Sequence, residues 1–87
     1  MQVLELKDIQ HKDTPIYYRR FYNGTIVMEI MQKNVERSIE FSIETTPLGD
    51  KNINVIFNQP VDYPMVPLLK EVKSYLDEFD RKGGLPV

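Results

Sequence analysis

Residues 17–30 read YYRRFYNGTIVMEI, and this stretch decides the fold. Aromatic and β-branched side chains flank Asn23-Gly24 on both sides, and such a dipeptide readily supplies the two positive φ angles of a type I′ turn. The stretch therefore predicts a β-hairpin with a two-residue loop, in which Tyr22 faces Thr25. This register places one apolar set on a single face of the hairpin: Tyr17, Phe21, Ile26, Met28 and Ile30.

Two later segments, residues 38–44 and 52–58, alternate between apolar and polar residues in the manner of half-buried strands. Their apolar members are Ile39, Phe41 and Ile43 in the first segment and Ile53, Val55 and Phe57 in the second. Residues 3–9 predict one more strand, whose alternation leaves the identity of its buried face open. With the two arms of the hairpin, we expect five strands in a meander.

The connections between these strands carry turn-forming residues. A turn at Lys33-Asn34 would join the hairpin to residues 38–44 with Met28 opposite Ile39, which keeps the apolar sets of both strands on one face. The same turn places Ile26 opposite Phe41. Residues 46–50, TPLGD, predict the turn before the next strand.

From Met65 onward the apolar period changes from two residues to about 3.6, which is typical of an amphipathic helix. Pro64 and Pro67 fit only the first turn of a helix, so the helix begins between them, and Gly83-Gly84 ends it. The apolar stripe contains Met65, Leu68, Leu69, Val72, Leu76 and Phe79. The sequence therefore predicts an α+β fold in two layers, an antiparallel β-meander of about five strands covered on one face by a C-terminal amphipathic helix.

Composition indicates one small folded domain over residues 1–87. Hydrophobic residues make up 41% of the chain and charged residues 28%, and there is no cysteine. No stretch has the roughly 18 consecutive apolar residues of a membrane span, and the N-terminus does not resemble a signal peptide. We therefore expect a cytoplasmic protein without disulfides. A core of this size leaves a thin stability margin, so we also expect a homodimer formed through the sheet face or a sheet edge.

The sequence offers little that could support catalysis. His11 is the single histidine, and with Asp8 and Asp13 it suggests a metal site, although a solvated loop would have the same composition. The serines lie within regular strand or helix patterns, and the glycines form no phosphate-binding loop. Three glutamates, Glu36, Glu40 and Glu44, recur with the strand period and are expected to face solvent. We therefore expect no enzymatic activity, no metal and no cofactor.

The sheet face opposite the core is the main functional candidate. In the predicted register it carries Tyr18, Arg20 and Tyr22 on one strand, with Glu29 and Glu40 on the neighbouring strands. Tyrosine and arginine are enriched at protein interfaces. We therefore predict a small, non-enzymatic protein-interaction or adaptor domain that uses these five residues.

An alternative uses the same face to bind single-stranded nucleic acid. Tyr18 and Tyr22 would stack on bases, and Arg19, Arg20 and Lys33 would lie near phosphates. In its order of strands and helix, the predicted layout also resembles the Whirly and Pur types of single-stranded nucleic-acid-binding domain, which place four strands before a helix. The net charge of −2 provides no general attraction to phosphates.

Overall fold

The computed structural model of the chain describes residues 1–14 and 17–86. In this part of the chain, four strands run antiparallel in the sheet order β1-β2-β3-β4, and one helix follows them. The elements are β1 (Gln2–Lys12), β2 (Arg19–Ile30), β3 (Lys33–Thr45), β4 (Lys51–Phe57) and α1 (Met65–Arg81). The α+β class, the antiparallel meander and the C-terminal helix are confirmed, with four strands in place of the five expected.

The strand count differs because β2 continues straight through Asn23-Gly24. Gly24 pairs with Ile39 of β3 and so lies inside the ladder, and the predicted hairpin at this dipeptide is wrong. A β-carbon at Gly24 would lie 3.2 Å from Cδ1 of the buried Leu6. Glycine is therefore needed here for close packing of β1 against β2, and the two predicted hairpin arms are one strand.

The reversal between β2 and β3 lies at Met31-Gln32. These residues have φ angles of 51° and 66°, and they form the turn without any glycine. The predicted turn at Lys33-Asn34 is wrong by two residues, and Met28 opposes Val35 where Ile39 was expected. The predicted pairing of Ile26 with Phe41 is wrong for the same reason. The four apolar residues of these predicted pairs are nevertheless all buried in one core.

The last two strands follow their sequence patterns. Ile39, Phe41 and Ile43 of β3 are buried, and their partners in β4 pack against the same core. The turn between the strands is closed by a 2.9 Å hydrogen bond that the Gly49 amide donates to the Thr46 carbonyl oxygen. The alternation read from the sequence is confirmed in both strands.

The helix α1 begins at Met65, between the two prolines, and is followed by Gly83 with a φ of 74°. Leu68, Val72 and Leu76 are fully buried against the sheet, which confirms the apolar stripe and the two-layer arrangement. The helix lies closest to the two edge strands, β1 and β4. Within the described ranges, no helix has both the length and the apolar content that crossing a bilayer requires.

Candidate functional site

The five residues predicted to share the uncovered sheet face lie in different places. Tyr22 is 1% exposed and belongs to the core under α1, where its ring stacks on that of Phe41 with centroids 5.1 Å apart. Arg20 lies on the same helix side of the sheet and binds Asp80 of α1. The prediction that Tyr18, Arg20 and Tyr22 form an exposed series is therefore wrong.

The error follows from the path of β2. A two-residue hairpin at Asn23-Gly24 would put Tyr22 on the face of Thr25, whereas an uninterrupted strand puts it on the face of Ile26. Ile26 is fully buried. One turn placed wrongly therefore moved every residue of the first predicted arm to the opposite face.

Three of the predicted residues remain accessible. Tyr18 precedes β2, is 48% exposed, and meets the ring of Tyr17 edge-on with centroids 5.7 Å apart. Glu29 is exposed next to the β2–β3 turn, where it opposes Asn34. Glu40 lies on the sheet face opposite α1, which we call the open face. These three residues do not form one cluster.

The open face is crossed by ion pairs between strands. Glutamates of β3 bind basic residues of β1 and β2 in three pairs, Lys7–Glu36 at 3.0 Å, Lys12–Glu40 at 2.7 Å and Arg19–Glu44 at 2.6 Å. Hydrogen bonding to Glu36 raises the pKa of Lys7, and the hydrogen bond from Arg19 lowers the pKa of Glu44. The cations of these three pairs are thus already neutralised by neighbouring carboxylates.

Phe21 is an open-face residue that the sequence analysis placed in the core. The Arg19 guanidinium lies 5.9 Å from the centre of its ring. Beside it is a shallow depression of about 160 Å³, whose lining includes Lys12, Phe21, Glu40, Ser42, Asn54 and Ile56. The alternation of β2 would have revealed Phe21 only if the strand had been read through Gly24.

On the helix side, Asp80 collects two cations. Arg20 donates two hydrogen bonds of 3.0 Å to its carboxylate oxygens and a third, of 3.2 Å, to the Tyr22 hydroxyl. Lys51 of β4 donates another, of 2.7 Å, to Asp80. Hydrogen bonding from Arg20, followed by that from Lys51, lowers the pKa of Asp80, against the opposing effect of burial. This network ties the end of α1 to β2 and β4.

The two edges of the sheet differ in character. The pairing of β1 with β2 is interrupted twice, between Val3 and Glu5 and between Lys7 and Gln10. Asp8, within the second interruption, has a φ of 53°. Bulges and charged side chains are the usual means by which an edge strand avoids pairing with another chain. The β1 edge is therefore protected.

The β4 edge has none of these features. All seven of its residues pair with β3 in unbroken register, and its single charged residue, Lys51, is at its first position. The Asn58 amide donates to the Ser38 carbonyl, so in this alternating ladder the backbone groups of Asn52, Asn54 and Ile56 also point toward β3. The outward-pointing groups are those of Lys51, Ile53, Val55 and Phe57.

With this geometry described, comparison with known proteins adds one assignment. Residues 1–81 match the model of the BB_0187 family. The chain belongs to this family. The matched range covers all four strands and the whole of α1. No curated protein and no solved structure matches the chain.

The suggested metal ligands of this BB_0187 family chain are not brought together. Among residues 1–14 and 17–86, no three His, Cys, Asp or Glu side chains form a group that could hold a metal ion. His11 instead lies against the ring of Tyr22, with centroids 5.1 Å apart. Asp8 is part of the β1 irregularity.

Proposed function

We propose that this chain is a non-enzymatic protein-interaction domain of the cytoplasm that self-associates by strand addition at the β4 edge. One observation carries the proposal: β4 is regular, nearly uncharged and unpaired on one side, whereas β1 at the other edge is bulged and charged. An edge with free backbone donors and acceptors is a template for another strand.

The composition of β4 supports pairing with another chain. Ile56 is 63% exposed, and it lies on an edge strand that contains neither proline nor an internal charge. Ile53 and Val55 pack only partly against the core, so a neighbouring strand would bury more of their apolar surface. Both backbone pairing and apolar burial would therefore favour an added strand.

The experiment is sedimentation velocity over a range of protein concentrations, with one lysine substitution on each edge. We expect the wild type to form a dimer in the micromolar range and Ile56→Lys to remain monomeric, because an edge lysine opposes strand addition. Leu4→Lys is the matched control, since Leu4 is an exposed apolar residue, 41% exposed, on the protected β1 edge. It should dimerise like the wild type.

Two results would contradict the proposal. A wild type that stays monomeric at every concentration would exclude self-association as the function. A dimer that Leu4→Lys dissociates and Ile56→Lys leaves intact would place the contact at β1. Circular dichroism of each variant checks that its fold is retained.

Single-stranded nucleic-acid binding is the second candidate. It is favoured by Phe21 and Arg19 on the open face and by the four strands before one helix, the number found in the Whirly and Pur layout. Against it, the cations of the open face are paired with glutamates, and Tyr22 is buried away from solvent. We therefore rank it below self-association.

A further inference from the structure

We infer that two copies of the chain pair their β4 strands antiparallel, with Asn54 on the two-fold axis. This inference rests on the proposed self-association and specifies its register. The pairing would join two four-stranded sheets into one continuous sheet of eight strands.

The backbone of β4 favours this register over its neighbours. Asn54 is the middle residue of Lys51–Phe57, so an axis at Asn54 pairs every residue of the strand with one of the second copy. Ile53 then opposes Val55 of the second copy. These are residues whose amide and carbonyl groups point outward, so each would form the hydrogen-bonded type of antiparallel pair. An axis at Ile53 or Val55 would leave residues at the ends of β4 without partners.

Side chains agree with the same register. Asn54 is exposed on the open face and would face its own copy, and an amide carries both donors and an acceptor, so two such groups are self-complementary. The single charge, Lys51, would oppose Phe57 of the second copy, which keeps the two lysines at opposite ends of the paired strands. No like charges would meet directly across the new boundary.

Disulfide cross-linking tests the register directly, because the chain contains no cysteine of its own. The groups of Asn54 point toward β3, so Asn54 and its copy would form a non-hydrogen-bonded pair with α-carbons about 4.5 Å apart, within disulfide range. We expect Asn54→Cys to form a covalent dimer under mild oxidation. The control Asn52→Cys should not, since Asn52 would face Ile56 of the second copy and its own copy would lie roughly 13 Å away.

A charge exchange at the same position provides a second measurement. Asn54→Lys and Asn54→Glu should each weaken self-association alone, by roughly fivefold, because like charges would meet across the axis. Their equimolar mixture should form a heterodimer at least as stable as the wild-type dimer. The pair Asn52→Lys and Asn52→Glu should show no such recovery on mixing.

The outcomes separate the inference from the proposed function. If the wild type dimerises but Asn54→Cys does not cross-link and the charged Asn54 variants do not recover on mixing, this register is wrong while self-association stands. Cross-linking of Asn52→Cys in place of Asn54→Cys would likewise overturn the register. A monomeric wild type would remove both.

Discussion

The guanidinium of Arg20 and the carboxylate of Asp80, sixty residues apart in the chain, form a two-point contact with both hydrogen bonds at 3.0 Å. The contact joins β2 to the last turns of α1, at the end of the helix away from its proline-marked start. Lys51 adds a bond from β4 to the same carboxylate. The helix is therefore held against the sheet by its apolar stripe and by this charged network.

Replacing Arg20 by alanine should lower the free energy of unfolding by about 1–2 kcal/mol, below the range for a buried charged hydrogen bond, because its side chain is 38% exposed. Arg81→Ala is the matched control: Arg81 belongs to an exposed i,i+4 pair with Asp77, worth about 0.2–0.5 kcal/mol. Urea denaturation measures both values. Equal losses in the two variants would mean that the Arg20 contact contributes no more than a surface pair.

Acid should remove the contribution of Asp80. The pKa of this carboxyl is lowered from its ordinary value of 3.8 in the folded protein, so the unfolded chain takes up the proton first as pH falls. The stabilisation is therefore complete well above pH 3.8 and is lost as pH falls through the lower folded pKa. We expect the stability difference between the wild type and Asp80→Asn to be constant near neutral pH and to shrink below about pH 4. A difference that grows in acid would contradict this assignment.

The β2–β3 turn should accept a better sequence. Met31 and Gln32 both have positive φ, a conformation that costs residues other than glycine and asparagine about 1 kcal/mol or more each. The double substitution Met31→Asn with Gln32→Gly should therefore raise the free energy of unfolding by about 1–2 kcal/mol. Leu48→Asn, at an exposed position of the β3–β4 turn without positive φ, should change it little. Chemical denaturation compares them.

Gly24→Val should destabilise the protein by about 1–3 kcal/mol, because its side chain would press on the buried Leu6. The matched control is Thr25→Val, which introduces the same side chain at the next position on the open face and should change stability by less than about 0.5 kcal/mol. Thermal unfolding followed by circular dichroism gives both shifts. A neutral Gly24→Val would contradict the close approach of β1 and β2.

Single-stranded DNA and RNA should bind weakly or not at all near physiological salt, as measured by fluorescence anisotropy. The triple substitution Glu36→Gln, Glu40→Gln and Glu44→Gln frees the three paired cations of the open face, so it should introduce binding at low salt that weakens as salt rises. Micromolar or tighter binding by the wild type, reduced by Phe21→Ala, would raise the nucleic-acid candidate above self-association.

Much of the fold could be predicted because its patterns are local. Residues 38–44 alternate strictly and form the centre of β3, and the change of period at Met65 marks α1 to the residue. The candidate site was predicted less well. Of its five residues, Arg20 and Tyr22 lie on the helix side, and the open edge of β4 had no signal of its own, because an edge is defined by which strands are absent beside it.

The sequence by itself determined which segments are strands and which is the helix, since periods of two and of 3.6 residues follow from backbone geometry alone. Only the tertiary structure decided the role of Asn23-Gly24. The same dipeptide can reverse a chain or let a neighbouring strand approach closely, and here the packing of Leu6 from β1 requires the second. That long-range contact sets the phase of β2, and with it the face on which Arg20 and Tyr22 lie.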